Sequence, residues 1–491
     1  MKLHLIIPLG GTGSRFVKNN YKIYKSFLPL PNNKIILDKI INNFSSFNCK
    51  IIVIAASLEN KKFIEKRYKK KIKVIIIKKH KSGPLITLQL GLKIINDTIE
   101  KCENIFVCYS DINWNWKNYH IQRALKEKIA VFTHKGFHPH LQVNSRSDFC
   151  LINKNKISRM SQKKPFTNNY VNEEVAIGCY FFKKKEYLNK FFKQVPLYSK
   201  REYYLLSVIN YLAKYFNIKS IPVSSFVHLG TPEQYEDYLS WSNRILKPAS
   251  KVETKSHGIM LISGKGERVS ALNKLKPFLE YRNFEIYNYI FSKMNIQKKY
   301  IVTNKKYFFY LKKKKYLNIF TIKKTNSMFE TIEKSLVYLK QLKKYFLLSC
   351  DCFGEFNYSE FKNLKKNNDL ILFAFKKSYL NSTMKGSHTS LTKDSYRVSK
   401  ILVKSKTYKK NEFGLAGFFW IGNSNIFDYM NDFKKNMVKG KINREIIIDD
   451  YFKYLLKNHK IKVKILELYD YVHIGSELEY KEYKYWKNHL S

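Results

Sequence analysis

Long apolar runs are missing from this sequence. No segment approaches the ~18 uninterrupted apolar residues needed to span a bilayer, so we expect no membrane-spanning part. The stretch Leu3–Leu9 is short, contains His4 and continues directly into a glycine-rich turn. It is therefore predicted to be a first strand rather than a signal peptide.

Paired cysteines and arginine-rich segments are also missing. The seven cysteines form no CxxC pair and their number is odd, which indicates reduced thiols in a cytoplasmic protein. The formal net charge is +53, yet only eleven of the 91 basic residues are arginine. A surface that reads nucleic-acid phosphates favours arginine forks.

Glycine, proline and alanine are scarce, whereas lysine, tyrosine, phenylalanine, isoleucine and asparagine are abundant. This combination is typical of coding bias in an AT-rich genome, which adds lysine throughout a chain. The lysines are scattered rather than gathered into one stripe. We therefore predict solvated lysine-rich faces and no nucleic-acid partner. Small anionic substrates fit the charge equally well.

The second half of the sequence repeats landmarks of the first half. A chain of 491 residues is too long for one ordinary core. The landmarks, first copy before second, are 11–15 and 264–268, 105–111 and 345–351, 175–182 and 413–421, 201–202 and 444–445, and 227–231 and 472–476. Their shared order predicts a tandem duplication, with domains at 1–245 and 256–491 and a polar joint near 242–257.

Short apolar runs alternate with longer amphipathic stretches in the first copy. The predicted strands are 3–9, 50–55, 73–77, 105–109 and 129–133, and the predicted helices are 35–47, 58–70 and 84–95. This order predicts an α/β fold: two tandem Rossmann-like domains, each with a mostly parallel sheet flanked by helices. Ligands of such sheets bind beyond the carboxyl ends of the strands. We therefore expect one cleft to hold the glycine turn and Asp111.

The glycine turn has the composition of a phosphate cradle. Gly10, Gly11 and Gly13 carry no Cβ atoms to block the approach of an anion. Successive backbone N–H groups can then point at phosphate oxygens. Arg15 adds a permanent cation and Lys25 follows in the next segment.

These motifs resemble those of the nucleotidyltransferases that make sugar nucleotides, the NDP-sugar pyrophosphorylase family. The matching segments are Gly-Gly-Thr-Gly-Ser-Arg-Phe, a lysine before Phe-Leu-Pro, Ser110-Asp111, Lys164-Pro165, the strand around Gly178, and Gly230-Thr231-Pro232-Glu233. The resemblance covers the first copy up to Trp241 and, more faintly, the second. It implies transfer of NMP from an NTP to a sugar 1-phosphate, or a similar phosphorylated small molecule, with release of pyrophosphate. Such products typically supply capsule or lipopolysaccharide synthesis.

The resemblance also implies roles for individual residues. The implied nucleotide-binding residues are Leu9, Gly10, Gly11, Thr12, Gly13, Ser14 and Gly83. Arg15 is expected to hold the β- and γ-phosphates, and Lys25 to contact the α-phosphate or the incoming phosphate. Asp111 is expected to bind Mg²⁺ through its carboxylate; the competing interpretation is a helix or turn cap.

Lys164 and Gly178 are the residues implied in acceptor binding. His228 stands where many members of the family carry a metal-binding aspartate, and neutral imidazole is a poor Mg²⁺ ligand. It is expected either to contact substrate or to be a packed core histidine. His134, His138 and His140 have a spacing that could suggest a transition-metal site, but a substrate loop or coincidence is favoured.

The second copy retains part of the pattern. The equivalents are Gly264, Gly266, Arg268, Lys276, Asp351, Gly417 and His473. Ser263 replaces Gly10 and no Gly-Thr-Pro segment follows His473. We expect the first copy to be active and the second to be a diverged transferase or a structural or regulatory partner. The NTP, the sugar and the oligomeric state stay open.

Two other function classes compete. A nucleotide-sugar-dependent glycosyltransferase of the α/β type expects Asp-x-Asp at the metal strand, which 110–113 does not supply. A non-catalytic basic protein that binds polyanions requires clustered charge, and the charge here is dispersed.

Overall fold

The computed structural model describes residues 3–11, 13–69, 71–95, 103–142, 147–194, 202–247, 256–264, 275–294, 296–314, 316–376, 388–394, 396–405, 412–439 and 445–491. The chain divides into two compact units. Unit 1 comprises Met1–Ser242 and Lys484–Ser491, and unit 2 comprises Asn243–Tyr483. Of the predicted site residues, Thr12, Gly266 and Arg268 lie outside the described residues.

The elements up to Leu246 alternate between strands and helices. The strands are β1 (Leu3–Leu9), β2 (Pro29–Leu30), β3 (Lys34–Ile35), β4 (Cys49–Ala55), β5 (Ile72–Ile76), β6 (Glu103–Cys108), β7 (Ile112–Asn115), β8 (Ile129–His134), β9 (Asp148–Asn153), β10 (Lys156–Gln162), β11 (Glu174–Lys184), β12 (Ile218–Pro222) and β13 (Ser225–His228). The helices are α1 (Ser14–Val17), α2 (Ile36–Asn42), α3 (Leu58–Tyr68), α4 (Pro84–Ile94), α5 (Asn118–Leu125), α6 (Lys185–Phe192), α7 (Leu205–Leu212) and α8 (Pro232–Leu246).

Within its described residues, unit 1 contains a nine-stranded sheet in the order β5-β4-β1-β6-β11-β8-β12-β10-β9. Neighbours among β5, β4, β1 and β6 are parallel, whereas β11 is antiparallel to both β6 and β8. The fold class is therefore α/β, as predicted, with sheets that mix both strand directions. Because β1, β4, β5 and β6 are parallel, their carboxyl ends share one edge, which we call the carboxyl edge.

The composition of β1 explains why the sheet of unit 1 is covered on both sides. Its side chains alternate between the two faces because a strand has a period of two. Leu5 and Ile7 belong to one core cluster and Ile6 to the other, and all three are fully buried. A nearly continuous apolar strand is therefore needed at this central position.

The helix predicted over 35–47 is shorter in the structure. Helix α2 ends at Asn42, and the Ser45 hydroxyl donates to the Asn42 carbonyl at 2.8 Å. This local hydrogen bond offers the backbone a turn in place of another helical turn.

The elements from His257 onward belong to the second predicted copy. The strands are β14 (His257–Ile262), β15 (Glu280–Tyr281), β16 (Phe284–Glu285), β17 (Lys298–Thr303), β18 (Asn318–Thr321), β19 (Tyr345–Ser349), β20 (Cys352–Phe356), β21 (Leu370–Lys376), β22 (His388–Asp394), β23 (Arg397–Ser405), β24 (Phe413–Ile421) and β25 (Val463–His473). The helices are α9 (Ile286–Lys293), α10 (Lys305–Leu311), α11 (Met328–Lys334), α12 (Leu336–Leu339), α13 (Tyr358–Leu364), α14 (Met430–Lys439), α15 (Ile448–Asn458) and α16 (Glu477–Leu490).

The described part of unit 2 forms a ten-stranded sheet with the path β18-β17-β14-β19-β24-β21-β25-β23-β22. Each position on this path has the chain order and the strand direction of its counterpart in unit 1. One feature differs. Strand β20 joins the sheet through β25, whereas β7 and β13 of unit 1 form a separate two-stranded sheet.

No helix in the described ranges is both long and apolar enough to cross a membrane.

Candidate active site

The glycine turn follows β1 at the carboxyl edge of unit 1. Gly10 is buried, and a Cβ atom at this position would overlap the side chain of Thr87 on α4. Gly13 has φ +62°, a left-handed conformation that favours glycine. The turn is thus fixed by a close approach at Gly10 and by backbone conformation at Gly13, while Gly11 and Ser14 are exposed to solvent.

Lys25 and Asp111 form an ion pair at the same edge. Lys25 opens a short 3-10 turn, Lys25–Phe27, and Asp111 follows β6. Lys25 Nζ lies 2.6 Å from Asp111 Oδ2, and each side chain is about a quarter exposed or less, at 22% and 24%. The pair brings together two of the three residues predicted to be catalytic.

For both Lys25 and Asp111, the interactions within the ion pair together outweigh the effect of burial on the pKa. Burial raises the pKa of Asp111, but the charge of Lys25, with a smaller contribution from Arg15, leaves it below its ordinary value. Burial lowers the pKa of Lys25, and the Asp111 carboxylate raises it above its ordinary value. Both groups are therefore charged at neutral pH.

His228 and Gly230 lie beside the Asp111 carboxylate. The Leu229 N–H donates to the Asp111 carbonyl at 2.7 Å, which joins the end of β13 to the start of β7. A Cβ atom at Gly230 would lie 2.9 Å from Asp111 Oδ2. The glycine in the Gly-Thr-Pro-Glu motif is therefore needed for close approach to the carboxylate.

His228 has an imidazole that is neutral at neutral pH. Burial lowers its pKa to about 4, and the Asp111 charge opposes this only partly. Its Nε2 atom is buried and makes no hydrogen bond to any of the residues that the structure describes. A buried polar atom without a partner calls for an explanation, and a bound ligand would supply the missing hydrogen bond.

Arg15 and Gly83 flank the same edge. Arg15 is exposed on α1 and its charge contributes to the low pKa of Asp111. Gly83 has φ +89° and directly precedes α4, and a Cβ atom there would lie 2.6 Å from the Tyr203 carbonyl oxygen. His80 bridges Ser82 and α4, because its Nδ1 accepts from the Ser82 N–H at 3.1 Å and its Nε2 lies 3.1 Å from Thr87 Oγ1.

The residues predicted to bind the acceptor are spread more widely. Gly178 has φ +91°, and a Cβ atom would meet the Tyr109 ring at 2.8 Å, two positions before Asp111 in the sequence. Lys164 is exposed, and no contact among the described residues joins it to Lys25 or Asp111. Glu173 organises the following loop by accepting from the Phe166 N–H at 3.0 Å and the Thr167 N–H at 2.6 Å.

Sequence reasoning missed Asp148, Tyr109 and Thr87. Burial raises the pKa of Asp148, the first residue of β9, to about 6, although the Lys163 charge opposes this shift. The Tyr109 hydroxyl accepts from the Leu205 N–H at 3.1 Å. No local sequence pattern distinguishes these residues from core positions, because their contacts and the pKa shift of Asp148 come from residues distant in the sequence.

The three histidines at 134, 138 and 140 are buried among protein groups. His140 Nε2 lies 3.1 Å from Asp237 Oδ2, and His138 Nε2 lies 3.0 Å from the Phe226 carbonyl oxygen. Over the ranges that the structure describes, no cluster of three or more His, Cys, Asp or Glu side chains could hold a metal ion.

Unit 2 has a corresponding ion pair with more partners. Lys276 pairs with Asp351, and the Ser349 hydroxyl donates to the other carboxylate oxygen. His473 Nε2 lies 3.6 Å from Asp351 Oδ2, and its Nδ1 lies 2.7 Å from Glu479 Oε1. Burial lowers the pKa of His473, but the hydrogen bond to Glu479 and the Asp351 charge raise it above its ordinary value.

Two further predicted residues of unit 2, Gly264 and Gly417, lie within the described ranges. Gly417 approaches Cys352, since a Cβ atom would lie 3.0 Å from its sulfur. Gly264 is exposed, and no atom of the described residues lies within 4 Å of a Cβ placed there. A cavity of about 190 Å³ is lined by residues that include Gly264, Lys276 and Cys350.

No protein-family model and no curated protein sequence matches this chain. Solved structures do match it. A nucleoside-diphosphate-sugar pyrophosphorylase from Vibrio cholerae RC9 is 18% identical, with 48% of this chain and 99% of that chain covered and a TM-score of 0.41. An inositol-1-phosphate CTP transferase from T. maritima is 18% identical, with coverages of 49% and 98% and a TM-score of 0.37. A UTP-bound UGPase from Acinetobacter baumannii is 12% identical, with coverages of 50% and 95% and a TM-score of 0.38.

Proposed function

We propose that unit 1 is a Mg²⁺-dependent nucleotidyltransferase that transfers NMP from an NTP to a sugar 1-phosphate or a similar phosphorylated small molecule. One observation carries the proposal. The Lys25–Asp111 pair lies at the carboxyl edge that also bears the glycine turn and Arg15. This edge joins a backbone suited to phosphate with two cations and one half-buried carboxylate.

The proposed reaction is an in-line displacement at phosphorus. An oxygen of the acceptor phosphate forms a bond to the α-phosphorus of the NTP, and the bond between the α-phosphorus and the bridging oxygen breaks. Pyrophosphate leaves with both bonding electrons. Because little covalent work falls to the protein, rate acceleration comes from positioning and from charge stabilisation.

The chain supplies these two effects through separate groups. The N–H groups of the glycine turn bind the triphosphate, and the exposed Arg15 guanidinium binds the β- and γ-phosphates. Lys25 moves from the Asp111 carboxylate toward the α-phosphate as the substrate brings in negative charge. A lysine side chain has the flexible stem that such an exchange of partners requires.

The carboxylate of Asp111 supplies the oxygen ligands that Mg²⁺ prefers. Its Oδ2 atom faces Lys25, and its Oδ1 atom accepts no hydrogen bond from any described residue. Mg²⁺ is usually held by one or two carboxylates together with waters and substrate phosphates, which one aspartate can satisfy. The bound ion would neutralise negative charge on the phosphate oxygens. Neutral His228 is assigned a hydrogen bond to substrate instead.

The acceptor is assigned to the side of the edge that bears Gly178. The Tyr109 ring leaves no room for a side chain at Gly178, so β11 presents only its backbone at this position next to Asp111. Lys164 contributes a mobile cation to the acceptor phosphate. We further propose a cytoplasmic protein whose product supplies capsule or lipopolysaccharide synthesis, and a tandem duplication as the origin of unit 2, which the matching strand order supports.

A pyrophosphate-release screen tests the proposal. The full chain is incubated with each of four NTPs, a panel of sugar phosphates and Mg²⁺. We expect one NTP and acceptor pair to release pyrophosphate. Asp111→Asn and Arg15→Ala should each remove most of that signal, because the first removes the carboxylate proposed to bind Mg²⁺ and the second removes a cation proposed to bind the phosphates.

Matched controls separate these roles from loss of surface charge. Arg123→Ala and Asp432→Asn alter exposed residues of α5 and α14 and should keep the wild-type rate. Wild-type rates in Asp111→Asn and Arg15→Ala would contradict the site assignment. Including nucleotide sugars in the panel tests the glycosyltransferase alternative, which predicts release of a nucleoside diphosphate instead.

A further inference from the structure

Asp111 and His228 are held by a two-stranded ribbon, β7 with β13. Asp111 precedes β7, and His228 is the last residue of β13. Among the described residues, these strands pair only with each other. A two-stranded ribbon is marginally stable by itself. The position of Asp111 therefore depends on what packs against this ribbon.

In unit 1, the strand that could connect the ribbon to the main sheet is interrupted. Strand β12 ends at Pro222 and β13 begins at Ser225. In unit 2, β25 runs without a break from Val463 to His473 and ties β20 into the ten-stranded sheet. The ribbon of unit 1 lacks that strand connection, so its position depends on core packing and on contacts from other elements of unit 1.

The C-terminal segment, Lys484–Ser491, covers the ribbon. The Tyr485 hydroxyl donates to the Phe226 carbonyl at 2.6 Å and accepts from the Phe226 N–H at 3.0 Å. One side-chain group thereby bonds to both backbone groups of a residue in β13. The Phe226 carbonyl also lies 3.0 Å from His138 Nε2, whereas the buried Phe226 N–H bonds to Tyr485, so leaving this N–H without a partner would be costly.

His489 joins the two strands of the ribbon to each other. Its Nδ1 atom lies 2.9 Å from Ser225 Oγ on β13, and its Nε2 atom lies 3.2 Å from Asn113 Nδ2 on β7. Because the asparagine amide donates, Nε2 accepts and Nδ1 carries the proton. The His489 carbonyl also accepts from Asn115 Nδ2 at 2.7 Å.

Trp486 anchors the C-terminal segment between these two contacts. It is fully buried and stacks on Trp241 of α8, with ring centroids 6.2 Å apart and an interplanar angle of 13°. Large buried aromatic side chains contribute much of the energy of such a contact. The segment is thus a packed part of unit 1 rather than a loose chain end.

We propose that the C-terminal segment is a positioning element of the unit 1 active site, in which Tyr485 and His489 fix the ribbon that presents Asp111 to Lys25. This inference rests on the proposed function of unit 1. Neither residue touches the substrate in this account. They act through Asp111, so loss of their hydrogen bonds should impair the chemical step more than nucleotide binding.

Kinetics of Tyr485→Phe in the full chain test the proposal. This variant keeps the ring and loses both hydrogen bonds to Phe226. We expect kcat to fall about tenfold, because small displacements of catalytic groups cost up to about 10²-fold in rate. KM for the NTP should stay within about twofold, since ground-state binding is retained.

The control is Tyr451→Phe, which removes a buried tyrosine hydroxyl that donates to the Ile426 carbonyl in unit 2. It should keep the wild-type kcat. His489→Gln provides a second test if Tyr485→Phe fails to fold. An unchanged kcat in both variants, or an equal loss in Tyr451→Phe, would overturn the proposal.

Hydrogen exchange distinguishes failure of this inference from failure of the proposed function. The amides of 112–115 and 225–229 should exchange faster in Tyr485→Phe than in the wild type, and Tyr451→Phe should leave them unchanged. If the wild type transfers no nucleotide, the proposed function fails and exchange alone decides whether the segment fixes the ribbon. Unchanged exchange in Tyr485→Phe would overturn the inference whatever the activity.

Discussion

Asp111 owes its position to close neighbours on two sides. Lys25 pairs with Oδ2 at 2.6 Å, and the backbone of Gly230 approaches the same atom so closely that a Cβ would lie 2.9 Å from it. The residue pattern predicted that Asp111 and the glycine turn share one edge. It could not predict the contact with Gly230, because that contact depends on how β13 is placed beside β7.

Gly230→Ala should lower the rate of pyrophosphate release. The added methyl group displaces the Asp111 carboxylate from Lys25, and a small displacement of a catalytic group costs up to about 10²-fold in rate. Steady-state assays of the full chain measure the effect. Gly136→Ala serves as the control. Gly136 has φ +103°, and no atom in the described part of the chain lies within 4 Å of a Cβ placed there, so the substitution should cost about 1–3 kcal/mol of stability while keeping the rate. A normal rate in Gly230→Ala would contradict the proposed role of Asp111.

The two units differ in the charge around their corresponding histidines. Gln234 follows Gly230 at the same spacing as Glu479 follows Gly475, and only the glutamate pairs with its histidine. Asp351 also accepts from Ser349 and Lys276, so both of its oxygens already have donors. The sequence marks Asp111 and Asp351 as equivalents, but side-chain partners distinguish them.

Asp351→Asn should therefore keep most of the pyrophosphate release, whereas Asp111→Asn should remove most of it. A carboxylate whose two oxygens both have hydrogen-bond donors is less able to bind a metal cation than a carboxylate with one oxygen that accepts no hydrogen bond. Parallel assays of the two variants measure the difference. Equal loss of activity in both would show that unit 2 takes part in the reaction.

At the scale of elements, the glycine turn is coupled to α4. Strand β1 is predicted over 3–9 and forms at Leu3–Leu9, because continuous apolar residues mark a central strand. The contact between Gly10 and Thr87 is not visible in the sequence, since all the elements from α1 to β5 lie between these two residues. The absence of a side chain at Gly10 thus allows the glycine turn to lie close to α4.

Gly10→Ala should destabilise unit 1 by about 1–3 kcal/mol, because the new Cβ overlaps the Thr87 side chain. Adding Thr87→Ala removes the overlapping atoms and should restore part of the stability. Urea unfolding of both variants measures this coupling. Additive losses in the double variant would contradict the packing argument.

At the scale of the molecule, the C-terminal segment belongs to unit 1 although the sequence places it in the second copy. Lys484–Ser491 packs on residues far away in the sequence, and such contacts leave no local pattern. The predicted domains, 1–245 and 256–491, follow the repeat. Tertiary packing assigns the last residues differently, which a repeat pattern alone cannot anticipate.

Unit 1 should lose stability in mild acid. Burial lowers the pKa of His489 to about 3, whereas an unfolded histidine titrates near 6.5. Below pH ~6.5 the unfolded chain therefore binds a proton that the folded chain does not, and the contribution of His489 falls by about 1.4 kcal/mol per pH unit.

Urea unfolding followed by tryptophan fluorescence measures this effect. Trp114, Trp116, Trp241 and Trp486 lie in unit 1, and Trp420 lies in unit 2. The stability difference between the wild type and His489→Gln should shrink between pH 7 and pH 5 by about 2 kcal/mol. If this stability difference does not change with pH, His489 is not a buried, neutral histidine in the folded protein.

The most direct test of the account follows the labelled α-phosphate of an NTP through a single turnover of the full chain. With Mg²⁺ and the matching sugar phosphate, the label should appear in the sugar nucleotide in equal amount to the pyrophosphate released. Asp111→Asn should remove most of both products. Transfer of the label at the wild-type rate in Asp111→Asn would contradict the claim that the carboxyl edge of unit 1 is the active site.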